Sequence, residues 1–240
     1  MDARELRELE LLAVTRLYGY AVEGRRSTAE GSEASTATAA HSLPSTIHPV
    51  SSMNWGELRA AVASCTACGL CKQRKQAVFG VGAESGPWLF IGEGPGAEED
   101  EQGEPFVGQA GKLLDAMMAA LGIKRGREAY IANVVKCRPP GNRTPTPEEA
   151  GACAPFLDRQ IELISPKVIV ALGKTAAARL LQTEASLGSL RGRVHRYRET
   201  PLVVTYHPAY LLRTLPDKAK AWEDLLLARR TLRAIGQGAA

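Results

Sequence analysis

The sequence predicts a three-layer α/β/α sandwich on a central, mainly parallel four-stranded sheet. Three observations carry this. Short strand-like apolar runs alternate with stretches of helical period through the C-terminal three-quarters of the chain. The first of these runs is short enough and apolar enough to be a buried strand, as sheets covered on both faces require. Glycines and polar residues fall where such strands end, which is where ligands bind in parallel α/β sheets.

The elements follow in order. Leu6, Leu9, Leu11, Leu12, Val14 and Leu17 have amphipathic helical spacing, so residues 1–22 read as an accessory helix. Its first twenty residues could dock a protein partner. Residues 23–50 are rich in Ser, Thr, Ala, Gly and Pro and read as a flexible linker. The compact domain is expected over residues 51–240, with WGELRAAVASC, from Trp55, as a helix leading into cysteines. WLFIGEG at 88–94 predicts a strand ending in a glycine-rich turn, and AGKLLDAMMAALG at 110–122 a helix stopped by glycine. AYIANVV at 129–135 predicts a second strand, followed by the proline-rich loop CRPPGNRTPTP. Thr146, Pro147, Glu148 and Glu149 form a helix start, with a capping hydroxyl, a first-turn proline and early acids, and the helix should reach about Ile164. KVIVALG at 167–173 predicts a third strand and KTAAARLL the helix after it. VHRYR and LVVTYH supply further strand, and residues 217–235 a final helix.

Composition narrows the function classes. Hydrophobic residues make up 45% of the 240, charged residues 23%, and the net charge is +4, a mildly basic balance that permits nucleic-acid binding without requiring it. No apolar run is long enough for a membrane span, and the N-terminus lacks the apolar core of a secretory signal. A cytoplasmic, monomeric protein is therefore expected, in a compartment where thiols stay reduced. There five cysteines point to metal ligation or free thiols and not to disulfides. Cys65, Cys68 and Cys71 form CTACGLC, with Cys137 and Cys153 far downstream. Zinc usually takes two tight CxxC pairs, whereas an iron–sulfur cluster accepts wider spacing, so the cluster is favoured. Spacing alone does not choose four ligands from five.

Two glycine motifs lead elsewhere. GEGPG at 92–96 follows a strand, but Pro95 and the acids after it spoil a dinucleotide fingerprint. ALGKTAA at 171–177 ends like a P-loop, but Val168 stands where the loop needs its first glycine.

Four segments together resemble the family 4 uracil-DNA glycosylases: GEGPGAEEDEQGEPFVGQAG at 92–111, ANVVKCRPPGNRTPTPEE at 132–149, KVIVALGKTAAARLL at 167–181 and YHPAYLLR at 206–213. The likeness spans about residues 60–232. It implies excision of uracil from DNA, an abasic product, and a [4Fe-4S] cluster on Cys65, Cys68, Cys137 and Cys153, with Cys71 outside the ligand pattern. The basic insertion of covalently cross-linking superfamily members is missing from CRPPGNRTP, so ordinary turnover is expected.

Such an enzyme must flip a deoxyuridine out of the stack, support uracil as a leaving anion, and position a water. His207 is the candidate donor to uracil O2. Asn133 is the candidate reader of the base edge, its amide donating to O4 and accepting from N3–H. Phe106 would stack on the base, and Gly94 and Gly96 would offer backbone N–H groups to O2. Many superfamily relatives carry an aspartate where Gly94 stands here, which leaves the water-activating residue open among Glu93, Glu99 and Asn142. Glu99 could instead exclude the methyl of thymine. Arg138, Arg143, Lys174 and Arg213 are phosphate-contact candidates, as are Lys136, Arg191 and Arg193. Tyr210 or a neighbouring leucine, Leu211 first, would wedge into the gap left by the flipped base.

Overall fold

A computed structural model describes residues 49–237. The accessory helix and nearly all of the linker expected from the sequence lie outside the described residues.

The sheet has six strands in the order β1-β3-β2-β4-β6-β5. They are β1 (Val81–Gly82), β2 (Trp88–Gly92), β3 (Ala129–Asn133), β4 (Val168–Leu172), β5 (Val194–Tyr197) and β6 (Thr200–Thr205). The four inner strands β3, β2, β4 and β6 run parallel. This is the expected four-stranded core, widened on each side by one antiparallel strand. β1 went unseen because two residues show no periodicity. Every residue of β2, β3 and β4 is buried, as strands covered on both faces must be.

The helices are α1 (Trp55–Ser64), α2 (Ala97–Gln102), α3 (Gln109–Ala120), α4 (Pro147–Ile164), α5 (Lys174–Leu181), α6 (Leu187–Leu190), α7 (Pro208–Leu211) and α8 (Asp217–Gln237). The start of α4 follows its sequence signals. The Thr146 side chain accepts from the Glu149 amide at 3.3 Å, and the Glu149 carboxylate accepts from the Thr146 amide at 2.8 Å. Leu89, Ile91, Tyr130, Ala132, Leu157, Ile161 and Ile169 form a continuous core with Leu58 and Val62 of α1. Trp55 anchors α1, its ring 5.9 Å from Phe79 and 5.5 Å from Tyr130. Among the described residues no helix is long and apolar enough to cross a membrane.

Register fixes where chemistry can occur. Gly92 pairs with Asn133, and Leu172 with Thr205. The four parallel strands therefore end together, and the segments leaving them face one another along one edge of the sheet.

Candidate active site

A cleft of about 1140 Å³ opens at that edge. It gathers Glu93, Gly94, Gly96, Glu99, Phe106, Asn133, Asn142, Arg143, Lys174, His207, Tyr210 and Arg213. Residues scattered over more than a hundred positions thus share one cavity because four strands end in register.

Asn133 closes β3 and is only 2% exposed. Among the described residues nothing hydrogen-bonds its Oδ1. A buried amide oxygen without a partner costs on the order of 1–3 kcal/mol, so the pocket is suited to a ligand that donates to it. Gly92 opposite makes the arrangement feasible. A Cβ there would stand 2.5 Å from Asn133 Oδ1 and 2.6 Å from Phe106 Cζ.

Phe106 is held in the left-handed region, at φ 56°. Such a backbone persists only where its surroundings enforce it. Glu99 accepts from the amides of Val107 at 3.0 Å, Gly108 at 3.1 Å and Gly96 at 3.0 Å. Arg125 donates to the carbonyls of Pro105 and Phe106. Any Cβ on Gly111 would overlap the Phe106 carbonyl. The ring lies 5.5 Å from that of His207, inclined by 30°. Glu99 is thus a brace with both carboxylate oxygens engaged. The expectation for Gly96 is corrected, because its amide already donates to Glu99 and is not free for a ligand.

His207 caps α7, its Nδ1 accepting from the Ala209 amide at 3.2 Å. That bond assigns the proton to Nε2, which becomes a donor. Burial, reinforced by the charge of Arg213, pushes the imidazole pKa down to about 4, against an opposing pull from Glu99. The ring is neutral at physiological pH. Across the cleft, the Thr175 hydroxyl donates to the Glu93 carboxylate.

The polar rim is largely braced. Arg138 Nε donates to Asn142 Oδ1 at 2.7 Å, and Asn142 itself is left-handed at φ 56°. Arg143 grips Glu149 through two bonds of 2.7 and 2.8 Å. Lys174, the exposed first residue of α5, lines the cleft. The Tyr210 hydroxyl donates to Asp217 at 2.6 Å, and its ring stacks on Tyr206 at 5.0 Å.

Three further expectations are corrected. Leu211 is 1% exposed, because the turn of α7 drives it into the core, so it cannot wedge into DNA; Leu212, 42% exposed, occupies the outward position. Lys136 is buried and bonded to Asn133 and Gln160, and no phosphate can reach it. Arg191 binds Asp224 at 2.7 Å and covers the Tyr206 ring, so it serves as a brace.

All five cysteines line a separate narrow recess behind β3. Cys65 caps the end of α1, Cys68 caps a 3-10 turn over Gly69–Lys72 that contains Cys71, Cys137 follows β3, and Cys153 lies in α4. Among the described residues no three metal-binding side chains converge as around a single ion. Instead the thiols are spread over the wall of the recess. Arg74 Nη1 donates to Cys137 Sγ at 2.8 Å, and the Lys136 amide to Cys153 Sγ at 3.4 Å. Donors aimed at sulfur favour thiolates, while burial pushes the Cys137 thiol up and that of Cys153 to about 11. Ligation of these sulfurs is therefore coupled to loss of their protons. An all-sulfur donor set with N–H groups directed at it fits an iron–sulfur cluster.

The braces Thr175, Arg125, Arg74 and the Lys136 ammonium were not found from the sequence, where each is an ordinary polar residue.

Residues 79–226 match the sequence profile of the Uracil DNA glycosylase superfamily. The chain is 45% identical over 179 residues to the type-4 uracil-DNA glycosylase of Thermotoga maritima, covering 73% of this chain and 93% of that protein. It is 41% identical to the type-4 uracil-DNA glycosylase of Pyrobaculum aerophilum, with the same two coverages. Likeness to the type-5 uracil-DNA glycosylase of Thermus thermophilus is 32%, over 58% of this chain and 77% of that protein.

Proposed function

This chain belongs to the type-4 uracil-DNA glycosylases of the uracil DNA glycosylase superfamily, and from that premise we propose that Asn133 selects the base, His207 supports the leaving uracil and Glu93 orients the water. The enzyme flips deoxyuridine out of DNA and hydrolyses the bond between N1 and C1′, leaving an abasic site for base excision repair.

The observation that carries the assignment is the partnerless, buried Oδ1 of Asn133. Uracil offers it N3–H, while the amide N–H of the same side chain donates to O4. Cytosine brings a lone pair at N3 and an amine at position 4, leaving like groups face to face. Phe106, whose ring fits beside the amide because Gly92 carries no side chain, provides the platform on which the base stacks.

As the C1′–N1 bond breaks, its electron pair passes to the uracil ring and charge gathers on O2. The neutral imidazole of His207 donates Nε2–H to that oxygen. A neutral donor needs no counter-charge in a buried site and costs little reorganisation. On the other side, the Glu93 carboxylate, steered by Thr175, faces the cationic sugar and orients the water that adds to C1′. Arg138, Arg143, Lys174 and Arg213 contact backbone phosphates around the cleft, and Leu212 fills the gap left by the flipped base.

Cys65, Cys68, Cys137 and Cys153 would hold a [4Fe-4S] cluster, which would cross-link α1, the end of β3 and α4.

The test uses single-turnover excision from oligonucleotides holding uracil or cytosine at one site. Asn133→Asp keeps the shape but sets a carboxylate against O4. We expect a loss of roughly 30- to 1000-fold on uracil, about 2–4 kcal/mol, and a narrowed preference over cytosine. Excision at the parent rate would remove Asn133 from the pocket.

A further inference from the structure

Lys136 stands between the two sites. Its side chain is 1% exposed, and Nζ donates to the Asn133 carbonyl at 2.9 Å and to Gln160 Oε1 at 2.6 Å. Gln160 is itself fixed, donating to the Phe79 carbonyl at 2.9 Å. The amide of Lys136 points the other way, to Cys153 Sγ. One residue therefore holds the strand end that carries the base-reading amide and, at the same time, a sulfur of the cysteine recess.

This placement answers a need of Asn133. With no partner on Oδ1 before a base arrives, the orientation of its side chain depends on how firmly its backbone is held. Beyond β3 the Val134 and Val135 amides donate to the Gly92 and Glu93 carbonyls, and the Lys136 carbonyl accepts from the Val78 amide at 2.7 Å. A buried ammonium is a stiff clamp on the Asn133 carbonyl, since the charge-assisted bond cannot be exchanged for one to water. Its bonded partners are the Asn133 carbonyl and the Gln160 side-chain oxygen, both neutral.

We propose that Lys136 is a positioning residue for uracil selection, its ammonium on the Asn133 carbonyl and its amide on the Cys153 sulfur fixing the base-reading amide relative to the cysteine recess. The proposal rests on the assignment of Asn133 as the base-reading residue.

A double-mutant cycle of Asn133→Ala and Lys136→Met tests it in the full chain. Methionine keeps length and bulk while removing the donors. Each protein is first checked for the parent's visible absorption. Lys136→Met should slow single-turnover excision at saturating DNA by about 10- to 100-fold, with DNA affinity changed less than about threefold, and should cost less than about threefold once Asn133 is alanine. An equal loss in both backgrounds would overturn the proposal, because Lys136 would then act on the fold alone. A parent rate for Asn133→Ala by itself would show that the base is read elsewhere and would take the proposal with it. If Lys136→Met does not assemble, Gln160→Met removes the ammonium's other acceptor without touching the Cys153 contact. A loss of about three- to tenfold that vanishes without Asn133 supports the clamp, and an additive loss overturns it.

Discussion

The Ala209 amide fixes the tautomer of His207, and taking its imidazole out of water fixes its charge. The unfolded chain takes up the proton near pH 6.5 and the folded one near 4. The folded state therefore resists protonation, and this residue's contribution to stability is complete above pH 6.5 and lost as pH falls toward 4. For catalysis, single-turnover excision at saturating DNA should show no His207-dependent break between about pH 5.5 and 7.5, and His207→Asn should be slower with a parallel profile. A break near pH 6.5 that disappears in His207→Asn would mean that a charged imidazolium acts instead. That Asn133 and His207 line the cleft was legible in the sequence because each ends or follows a recognisable strand. Glu99 was singled out in the sequence as an acid of the pocket, but not as the brace of the Phe106 loop. Its three amide partners lie on a loop whose fold the sequence does not state.

At the scale of elements, α7 shows how one turn decides between packing and binding. Leu211 and Leu212 are adjacent and chemically identical, yet a helical turn points one into the core and the other outward. Leu211→Ala should lower unfolding stability by about 2–4 kcal/mol, as a buried leucine does, with excision at low temperature little changed. Leu212→Ala should leave denaturant unfolding unchanged and weaken excision from duplex more than from single-stranded uracil DNA, because only a duplex requires a wedge. Equal excision by Leu212→Ala on both substrates would leave the wedge to another residue. Strand positions and the α4 start followed from the sequence because their signals are local. The two-residue β1 had no such signal and exists only by pairing with β3.

At the scale of the molecule, the cysteine recess ties together segments that the sheet leaves apart. Cys65 belongs to the stretch before the first strand, Cys137 to the exit of β3, and Cys153 to a helix. A cluster on these sulfurs would brace the segment that leaves β3, just beyond Asn133. Aerobically purified protein should be brown with about four irons per chain. Cys153→Ser should bleach it and lower its melting temperature, and Cys71→Ser should do neither. Colourless protein holding zinc would refute the cluster, and bleaching by Cys71→Ser would change the ligand set.

By itself the sequence determined the order of the longer strands and helices, the edge of the sheet where chemistry gathers, and the family to which the motifs belong. Those properties rest on local periodicity, on capping and turn residues, and on the rule that parallel strands present their carboxyl ends together. Only the tertiary structure decided which leucine faces outward, that Lys136 and Arg191 are braces and not phosphate contacts, and that Asn133 Oδ1 waits without a partner. Burial and hydrogen-bond partners depend on residues distant in the chain, and a lysine reads the same in sequence whether water or a glutamine amide surrounds it.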